Sequence, residues 1–498
     1  MNVNPITRLD YPDPDVIRVE DTYYMVSTTM HFMPGCEILQ SFDLVHWEHV
    51  TYVYETLDHT DAQQLKSGQN IYGQGMWAAS LRYHEGRFYI CFVANDTRKT
   101  YLYTSEKIDG PWKKQLIEGF YHDASLLFDE DGRNYIVYGN DEIWITELNE
   151  DLTAPKKDGL HRLLVSDHKN PELGYEGSHI QKINGYYYIF LVHSLRDRWM
   201  RTEACFYSDS LEGEFTGGDV LCDDRGYCGQ GVAQGGIVDT PDGKWYAMLF
   251  QDSGAVGRIP ILLPVTWKDH FPIFGQNGHV PEEIEVHSTR PGYIYQPLVG
   301  SDDFCNGLLP RWQFNHDPDP RYYHLDALQG TYTITTREVC TELTQAVNTL
   351  TQRMSYPSCA AEVTVDASAL KEGDVAGLCA LQGCYAAVGI TKHHGKYEVL
   401  MLDKKEDGIL DMTEGTVVES HQMDFRLEAD FCNMKDEARC YYRVNKGDWL
   451  PIGTVHKLYF KLDHFTGCRF GLFCYAAEET GGSACFRDFK YYDVDEIS

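Results

Sequence analysis

The first three hundred residues alternate turn residues with short runs of aromatic and β-branched residues, and helical periodicity is weak throughout. Five segments share one pattern, in which a turn residue is followed by residues that favour strands; they are residues 21–26, 86–91, 132–137, 185–190 and 243–248. This pattern is typical of a hairpin turn that leads into a strand. The sequence therefore predicts at least five similar β units in this part of the chain.

The five segments align on tyrosines separated by 65, 46, 53 and 58 residues; these are Tyr24, Tyr89, Tyr135, Tyr188 and Tyr246. A four-stranded propeller blade takes roughly 40–50 residues before insertions. We therefore predict an all-β protein whose residues 1–295 form a five-bladed β-propeller. The alternative fold is a large sandwich built from unrelated hairpins.

A second set of equivalent positions lies eleven or twelve residues before each aligned tyrosine, at Asp13, Trp77, Asp123, Glu176 and Gln234. These positions fall on the strand that precedes each hairpin, and the innermost strand of a blade lines the central channel of a propeller. The sequence thus predicts a ring of side chains at one end of the channel. Three of the five are carboxylates, which repel one another, so a purely structural role explains them poorly.

The surroundings of the three carboxylates differ, which suggests different tasks. Prolines flank Asp13 on both sides, which is also the chemistry of an ordinary turn. An aromatic and small residues surround Glu176, and burial there would raise its pKa, as a general acid requires; the alternative is a solvated loop residue. Asp123 would be a third charge that tunes the acid, or only a strand-start residue. Paired carboxylates beside an aromatic ring are the equipment of glycoside hydrolysis.

Composition and charge exclude several classes of partner. The chain has 43 Lys and Arg against 75 Asp and Glu, a net charge of −32, which disfavours nucleic acids and anionic membranes. No apolar run is long enough to span a membrane, and the first residues lack the pattern of a signal peptide. Fifteen scattered cysteines, including the closely spaced Cys222 and Cys228, suggest reduced thiols and packing residues. We therefore expect a cytoplasmic protein whose ligand is a small neutral molecule.

Several motifs resemble glycoside hydrolase family 43, especially its β-xylosidase and α-L-arabinofuranosidase branch. The matching stretches follow the family's order; they are residues 4–5, 11–18, 32–35, 75–78, 122–126, 175–179, 234–243 and 257–260. The resemblance covers residues 1 to about 295, and it implies a five-bladed propeller with an inverting mechanism. It implies that Asp13 is the general base, Asp123 the carboxylate that modulates pKa, and Glu176 the general acid.

The same resemblance implies a sugar pocket lined by Phe32, Trp77, Gln234 and Arg258, and it implies that Arg258 contacts the sugar or Asp123. Many members place a histidine before the Gln-Gly-Gly stretch, where it helps to hold a calcium ion or a water cluster in the channel. This chain has Ala233 there, and only His179 or His31 stands as a substitute. We therefore expect no required cofactor and assign no metal ligand, while a channel calcium stays open.

Residues 300–498 predict a second domain, because alternating strand patterns follow a turn-rich junction. The last strands resemble those of a concanavalin-like sandwich, which often follows the family's β-xylosidase propeller. In such relatives one loop helps to close the sugar pocket, and residues 314–323 are our candidate for it. The alternative is a sandwich that only stabilises the propeller or mediates contacts within a homo-oligomer.

The leading hypothesis is an exo-acting glycosidase that releases β-1,4-linked xylose or arabinofuranose from imported oligosaccharides. A second hypothesis, favoured by the missing histidine, is a propeller that binds sugar without catalysis. A third hypothesis is an enzyme of the same fold that hydrolyses fructosides with retention of configuration. That mechanism needs two carboxyl groups roughly 5–5.5 Å apart. The sequence leaves the choice between xylose and arabinose open.

Overall fold

The computed structural model describes residues 2–462 and 464–493, which form an all-β protein. The described residues contain four short 3-10 helices, Lys66–Gly68, Gly254–Val256, Leu343–Gln345 and Cys432–Met434. Among these residues, no helical segment has the length and apolar character needed to cross a bilayer. All fifteen cysteines are free thiols.

Five four-stranded antiparallel sheets form the predicted five-bladed propeller, and each is built from consecutive strands apart from one excursion in the first. A two-residue strand, β1 (Asn2–Val3), precedes the blades. The strands of the five blades, in chain order, are as follows: blade 1, β2 (Asp15–Val19), β3 (Thr22–Val26), β4 (Phe32–Met33, outside the blade's own sheet), β5 (Gly35–Ser41) and β6 (Glu48–Tyr54); blade 2, β7 (Met76–His84), β8 (Arg87–Ala94), β9 (Lys99–Ser105) and β10 (Lys113–Ile117); blade 3, β11 (Ser125–Phe128), β12 (Asn134–Asn140), β13 (Glu142–Leu148) and β14 (His161–Ser166); blade 4, β15 (Glu176–Ile183), β16 (Tyr186–Ser194), β17 (Arg201–Ser208) and β18 (Thr216–Leu221); blade 5, β19 (Val232–Asp239), β20 (Trp245–Asp252), β21 (Arg258–Lys268) and β22 (Phe271–Phe274).

The repeat in the sequence is the repeat of the blades. Every aligned tyrosine lies on the second strand of its blade, directly after the hairpin turn. The turns use left-handed backbone, as at Gly86 (φ 79°) and Gly185 (φ 85°), where a residue without a side chain is least strained. The first strands of the blades contact one another in a ring, and a bidentate ion pair between Arg18 and Asp239 joins the first blade to the fifth.

The C-terminal part is a sandwich of two large antiparallel sheets, preceded by β23 (Glu283–Ile284), which pairs with β1. The nine-stranded sheet contains β4 of the propeller together with β24 (Gln313–Asn315), β27 (Leu350–Arg353), β29 (Val375–Leu381), β30 (Tyr385–His393), β31 (Lys396–Lys404), β32 (Leu410–Met412), β33 (Thr416–Val418) and β37 (Arg469–Tyr475). The seven-stranded sheet contains β25 (Tyr323–Asp326), β26 (Thr331–Thr335), β28 (Ser358–Asp366), β34 (Gln422–Asp430), β35 (Glu437–Arg443), β36 (Leu450–Lys457) and β38 (Ser483–Asp493).

The two domains share one continuous sheet, because β4 of the propeller pairs with β24 of the sandwich. Phe32 lies opposite Asn315 and Met33 opposite Phe314 in this pair. Backbone hydrogen bonds of a sheet fix register and distance, so the sandwich is held in a defined position against the propeller.

Candidate active site

All five repeat positions, Asp13, Trp77, Asp123, Glu176 and Gln234, line one cavity of about 170 Å³. The cavity lies where the first strand of each blade begins, as the alignment predicted. A larger cavity of about 470 Å³ lies at the other ends of the same strands. Its cationic side chains are already paired with carboxylates, Arg18 with Asp239 and Lys182 with Asp129. The smaller cavity is therefore the better candidate for chemistry.

Left-handed backbone and β-bulges turn these side chains into the cavity. Asp13, Asp123 and Gln234 have φ angles of 53°, 48° and 68°. The register of the first strand shifts next to Trp77, Glu176 and Gln234 in blades 2, 4 and 5. Bulges re-aim a side chain and are concentrated near active sites, and non-glycine residues with positive φ store strain that often has a functional reason.

The carboxylate of Asp13 is buried and held at both oxygens. The Arg258 guanidinium donates to Oδ1 at 2.6 Å, and the Thr28 hydroxyl donates to Oδ2 at 2.5 Å. Such charge-assisted hydrogen bonds fix the orientation of a carboxylate. The Asp13 carboxylate therefore lines the cavity in a fixed orientation, as a hydrogen-bond acceptor.

Two guanidinium groups share a single buried carboxylate, that of Asp252. Arg258 donates through Nε to Oδ1 at 3.2 Å, and Arg201 donates through Nε to Oδ2 at 3.0 Å. Burial alone would raise the pKa of Asp252, but the two positive charges hold it below its usual range. Asp252 therefore anchors both arginines at the cavity wall.

The imidazole of His122 lies between two of the cavity's acids. Its Nε2 atom is 3.5 Å from Oδ2 of Asp123 and 3.3 Å from Oε2 of Glu176. Although burial disfavours the charged ring, these two carboxylates raise the pKa of His122 to about 9. Asn140 also donates to Oε2 of Glu176, at 2.7 Å.

The same neighbours move the two carboxyl groups in opposite directions. Burial, reinforced by the charges of Glu176 and Asp13, raises the pKa of Asp123 to about 6, although His122 and the N–H of Gly177 oppose it. Burial would also raise the pKa of Glu176, but the hydrogen bond and charge of His122 outweigh it and hold that pKa below its usual range. The cluster thus holds one proton on the imidazole while both carboxylates compete for it.

The sandwich domain closes the cavity with Leu462 and Phe465. The Phe465 ring packs edge-on against Trp77 at 5.4 Å and over the Arg258 guanidinium at 4.0 Å. Asp10 secures this loop, since its two carboxylate oxygens accept the backbone N–H groups of Gly467 and Arg258, each at 2.7 Å. The other domain therefore completes the wall of this cavity.

Three of our sequence expectations differ from the structure. Burial was expected to raise the pKa of Glu176, but His122 outweighs burial and holds that pKa below its usual range. Phe32 does not line the cavity, because its ring lies under the Arg469 guanidinium at 3.5 Å and its strand pairs with β24. The predicted closing stretch 314–323 is also wrong; its first residues pair with the propeller, and His316 packs against His31 at 4.9 Å. Arg258 does line the cavity, and it contacts Asp13 rather than Asp123.

The channel below the cavity is filled by Arg82, which bridges the first strands of four blades. Its guanidinium donates to Asp15 Oδ2 at 2.8 Å, to Ser125 Oγ at 2.6 Å and to the carbonyl oxygens of Leu126 and Ile180. His179 Nδ1 lies 3.1 Å from the other oxygen of Asp15.

This arrangement does not fit a channel calcium. The Asp15 carboxylate already pairs with a fixed cation, and Ala233 offers no ligand atom. Hard cations such as calcium take six to eight oxygen ligands. Among the described residues, only His122, Asp123 and Glu176 form a cluster of three ligand atoms within 4.8 Å, and these residues line the 170 Å³ cavity rather than the channel below it.

Sequence reasoning missed His122, Arg201, Asp252 and Phe465. His122 directly precedes Asp123 in the chain, and nothing in the sequence indicated that its imidazole ring would face Glu176. Arg201 and Asp252 lie on the third strand of blade 4 and the second strand of blade 5, away from the aligned positions. Phe465 comes from the other domain, and its position depends on how the domains dock.

Comparison with protein families gives two matches. The model of the Glycosyl hydrolases family 43 matches residues 3–272, and that of the Beta xylosidase C-terminal Concanavalin A-like domain matches residues 301–492. The first covers more than half of the chain, and it includes all the residues of the cavity that the propeller supplies.

Relatives of known description agree with these matches. A beta-xylosidase of Formosa agariphila is 27% identical over 99% of this chain and 89% of its own length. A non-reducing end alpha-L-arabinofuranosidase of Bacteroides ovatus is 26% identical over 66% of this chain and 63% of its own. A solved structure described as a bifunctional GH43-CE of Bacteroides eggerthii is 42% identical, with a TM-score of 0.91 over 99% of this chain. The chain spans 63% of that protein's length.

Proposed function

The chain belongs to glycosyl hydrolase family 43, and from that premise we propose that it is an exo-acting, inverting glycosidase that releases xylose or arabinofuranose from small oligosaccharides. The observation that carries the proposal is the meeting of Asp13, Asp123 and Glu176 around one small cavity that also holds Trp77 and Arg258. The descriptions of the relatives as a beta-xylosidase and an alpha-L-arabinofuranosidase support the two candidate sugars.

Asp13 acts as the general base in this proposal. Arg258 and Thr28 orient its carboxylate, and an oriented carboxylate in a cavity can take a proton from an attacking water. Inversion requires that water to attack from the face opposite the leaving oxygen.

Glu176 acts as the general acid and protonates the leaving oxygen. In the free site its carboxylate lies within hydrogen-bonding reach of the His122 imidazolium. A neutral sugar that excludes water makes this separated pair of charges less favourable, so the proton moves from Nε2 of His122 to Oε2 of Glu176. The pair then supplies the acid without taking a proton from solvent, and Asp123 holds the N–H of Gly177 beside it.

The size and walls of the cavity support removal of single terminal sugars. At about 170 Å³ it is smaller than the roughly 300–1,000 Å³ of a site for a drug-sized ligand. Phe465 and Leu462 of the sandwich cover one side. A chain of several sugars would have to leave the cavity after the first ring.

Hydrolysis of nitrophenyl β-D-xyloside and nitrophenyl α-L-arabinofuranoside tests the proposal, with proton NMR of the first-formed anomer as the stereochemical readout. We expect turnover of at least one substrate with inversion, and losses of about 10²–10⁴-fold in kcat for Asp13→Asn and Glu176→Gln. Retention of configuration, or full activity in both variants, would contradict it.

The alternative of a sugar-binding propeller predicts a different result in the same samples. Calorimetry would then detect oligosaccharide binding with no product after long incubation.

The proposal places the protein in the cytoplasm, because its fifteen free thiols favour a reducing compartment.

A further inference from the structure

Arg201 places unused hydrogen-bond donors in the wall of the catalytic cavity. It is the first residue of β17, it is 2% exposed, and it lines the cavity. Only its Nε–H group has a partner among the described residues, the carboxylate of Asp252, and Nη1 is buried without one. A buried donor without a partner costs free energy, so a native protein that retains one needs a reason for it.

The guanidinium is also rigidly held. Asp252 fixes its edge, and its Cζ atom lies over the rings of Trp199 and Phe250, 5.2 and 5.3 Å from their centroids. A planar, fixed fork of donors is preorganised, because little side-chain entropy is lost when a ligand binds. These contacts make Arg201 a receptor for an acceptor atom rather than a mobile surface charge.

We propose that Arg201 is a specificity-determining residue that donates a hydrogen bond to one hydroxyl oxygen of the neutral sugar in the cavity. This inference rests on the proposed function. Arg258 orients Asp13, and Arg201 is a second guanidinium in the same cavity that contacts the sugar. Because Asp252 links the two arginines, the sugar contact and the orientation of Asp13 belong to one rigid unit.

The charges around Arg201 favour a hydroxyl over an anionic group of the substrate. Glu176 lies close enough for its pKa to be lowered by Arg201, and Asp13 and Asp123 line the same cavity. A carboxylate on the sugar would meet these three acids, and like charges in a partly dry cavity repel strongly. A hydroxyl oxygen accepts from Arg201 without that repulsion.

Deoxy substrates test the contact directly. The nitrophenyl pentoside that the wild type hydrolyses is compared with its analogues lacking one hydroxyl each, in the wild type and in Arg201→Met. We expect one analogue to lose about 10- to 100-fold in kcat/KM in the wild type, and Arg201→Met to lose a similar factor on the parent substrate. In Arg201→Met, that analogue should show no further loss, because the donor it would have met is gone.

Arg162→Met is the matched control, since Arg162 donates to the carbonyl oxygens of Leu211 and Gly213, outside the cavity. Its pattern of deoxy losses should equal that of the wild type. Should Arg201→Met fail to fold, as judged by its melting curve, Arg201→Lys provides the same comparison with the charge retained and the fork removed.

Two outcomes would overturn the inference while leaving the proposed function intact. One is that every analogue loses the same factor in the variant as in the wild type. The other is a folded variant with wild-type kcat/KM. By contrast, a wild type that hydrolyses no pentoside refutes the proposed function itself.

Discussion

The imidazole of His122 approaches Glu176 to 3.3 Å between Nε2 and Oε2, although 54 residues separate them in the chain. Asp123 lies on the other side of the same nitrogen, at 3.5 Å. The three groups therefore titrate as one unit, and the loss of their shared proton is a property of the cluster.

Replacing His122 by phenylalanine should move the basic limb of the pH–rate profile toward acid. In the wild type the shared proton is lost with the pKa of His122, about 9. In His122→Phe no imidazole shares the proton, so the basic limb follows the carboxyl pKa of Glu176. The usual value of that pKa is 4.5, and burial raises it. The measurement is kcat/KM against pH; His161→Phe on β14 should keep the wild-type limb. An unmoved limb in His122→Phe would contradict the shared proton.

Removing divalent metal should leave the melting temperature unchanged, because Arg82 already supplies the positive charge of the channel. Arg82→Met should instead destabilise the fold by about 3–5 kcal/mol, since it removes the guanidinium that pairs with the buried Asp15 carboxylate and leaves it only His179 and the backbone N–H of Leu81. Thermal and urea unfolding with EDTA or with calcium measure both effects. A wild-type melting temperature that falls in EDTA would show that a metal is part of the channel after all.

Acid should destabilise the protein through three histidines at the domain boundary, His31, His316 and His464. Burial lowers all three pKa values, to about 3 for His316 and about 4 for His464, and the charge of Arg469 adds to this effect at His31 and His464. The folded state keeps these rings neutral, whereas the unfolded chain protonates them near pH 6.5. The contribution of these histidines to the free energy of unfolding is therefore fully present above pH 6.5 and declines as the pH falls toward 3.

His316→Gln measures one share of this effect. Each proton taken up on unfolding contributes about 1.4 kcal/mol per pH unit, so the variant should flatten the pH dependence of the free energy of unfolding by up to that slope. The amide oxygen of glutamine can still accept from Ile71 N, as His316 Nε2 does. His287→Gln, at an exposed position, is the control and should leave the slope unchanged.

Glu203→Gln should be tolerated, whereas Glu203→Leu should not. Glu203 is fully buried, and burial raises its pKa well above the usual value, which favours the neutral form of the side chain. Its Oε2 accepts the backbone N–H of Gln234 at 2.7 Å and so supports the left-handed backbone of a cavity residue. The leucine variant leaves that N–H unpaired, at a cost of about 1–3 kcal/mol.

Melting curves and kcat of the two Glu203 variants test this. Equal damage in both would mean that the charge of Glu203 is needed, contrary to the prediction.

Phe465→Ala should weaken catalysis from the sandwich side of the cavity. The ring covers Arg258, which in turn orients Asp13. Loss of a cation–π contact of about 0.5–2 kcal/mol corresponds to roughly a 2- to 30-fold loss in kcat/KM. Phe473→Leu in the interior of the sandwich provides a comparison for stability effects. Wild-type kcat/KM in a folded Phe465→Ala protein would remove the ring from the site.

The fold followed from the sequence because each blade repeats its own turn, tyrosine and strand, so local patterns agree with the architecture. The alignment of the repeats also predicted which side chains meet, because equivalent positions in a ring of blades face one central channel. These side chains are Asp13, Trp77, Asp123, Glu176 and Gln234. Sequence order alone could not reveal that the Phe32 strand leaves its blade for the sandwich. Arg201 and Phe465 needed the packing of strands and domains, which no single repeat encodes.

The loop around Gly467 has a consequence for synthesis of the chain. Asp10 binds that glycine's backbone N–H, and Phe465 completes the wall beside Asp13. Synthesis must therefore add 457 residues after Asp10 before its carboxylate acquires this last partner. Nascent propellers should therefore hydrolyse glycosides only weakly until that later segment emerges and docks.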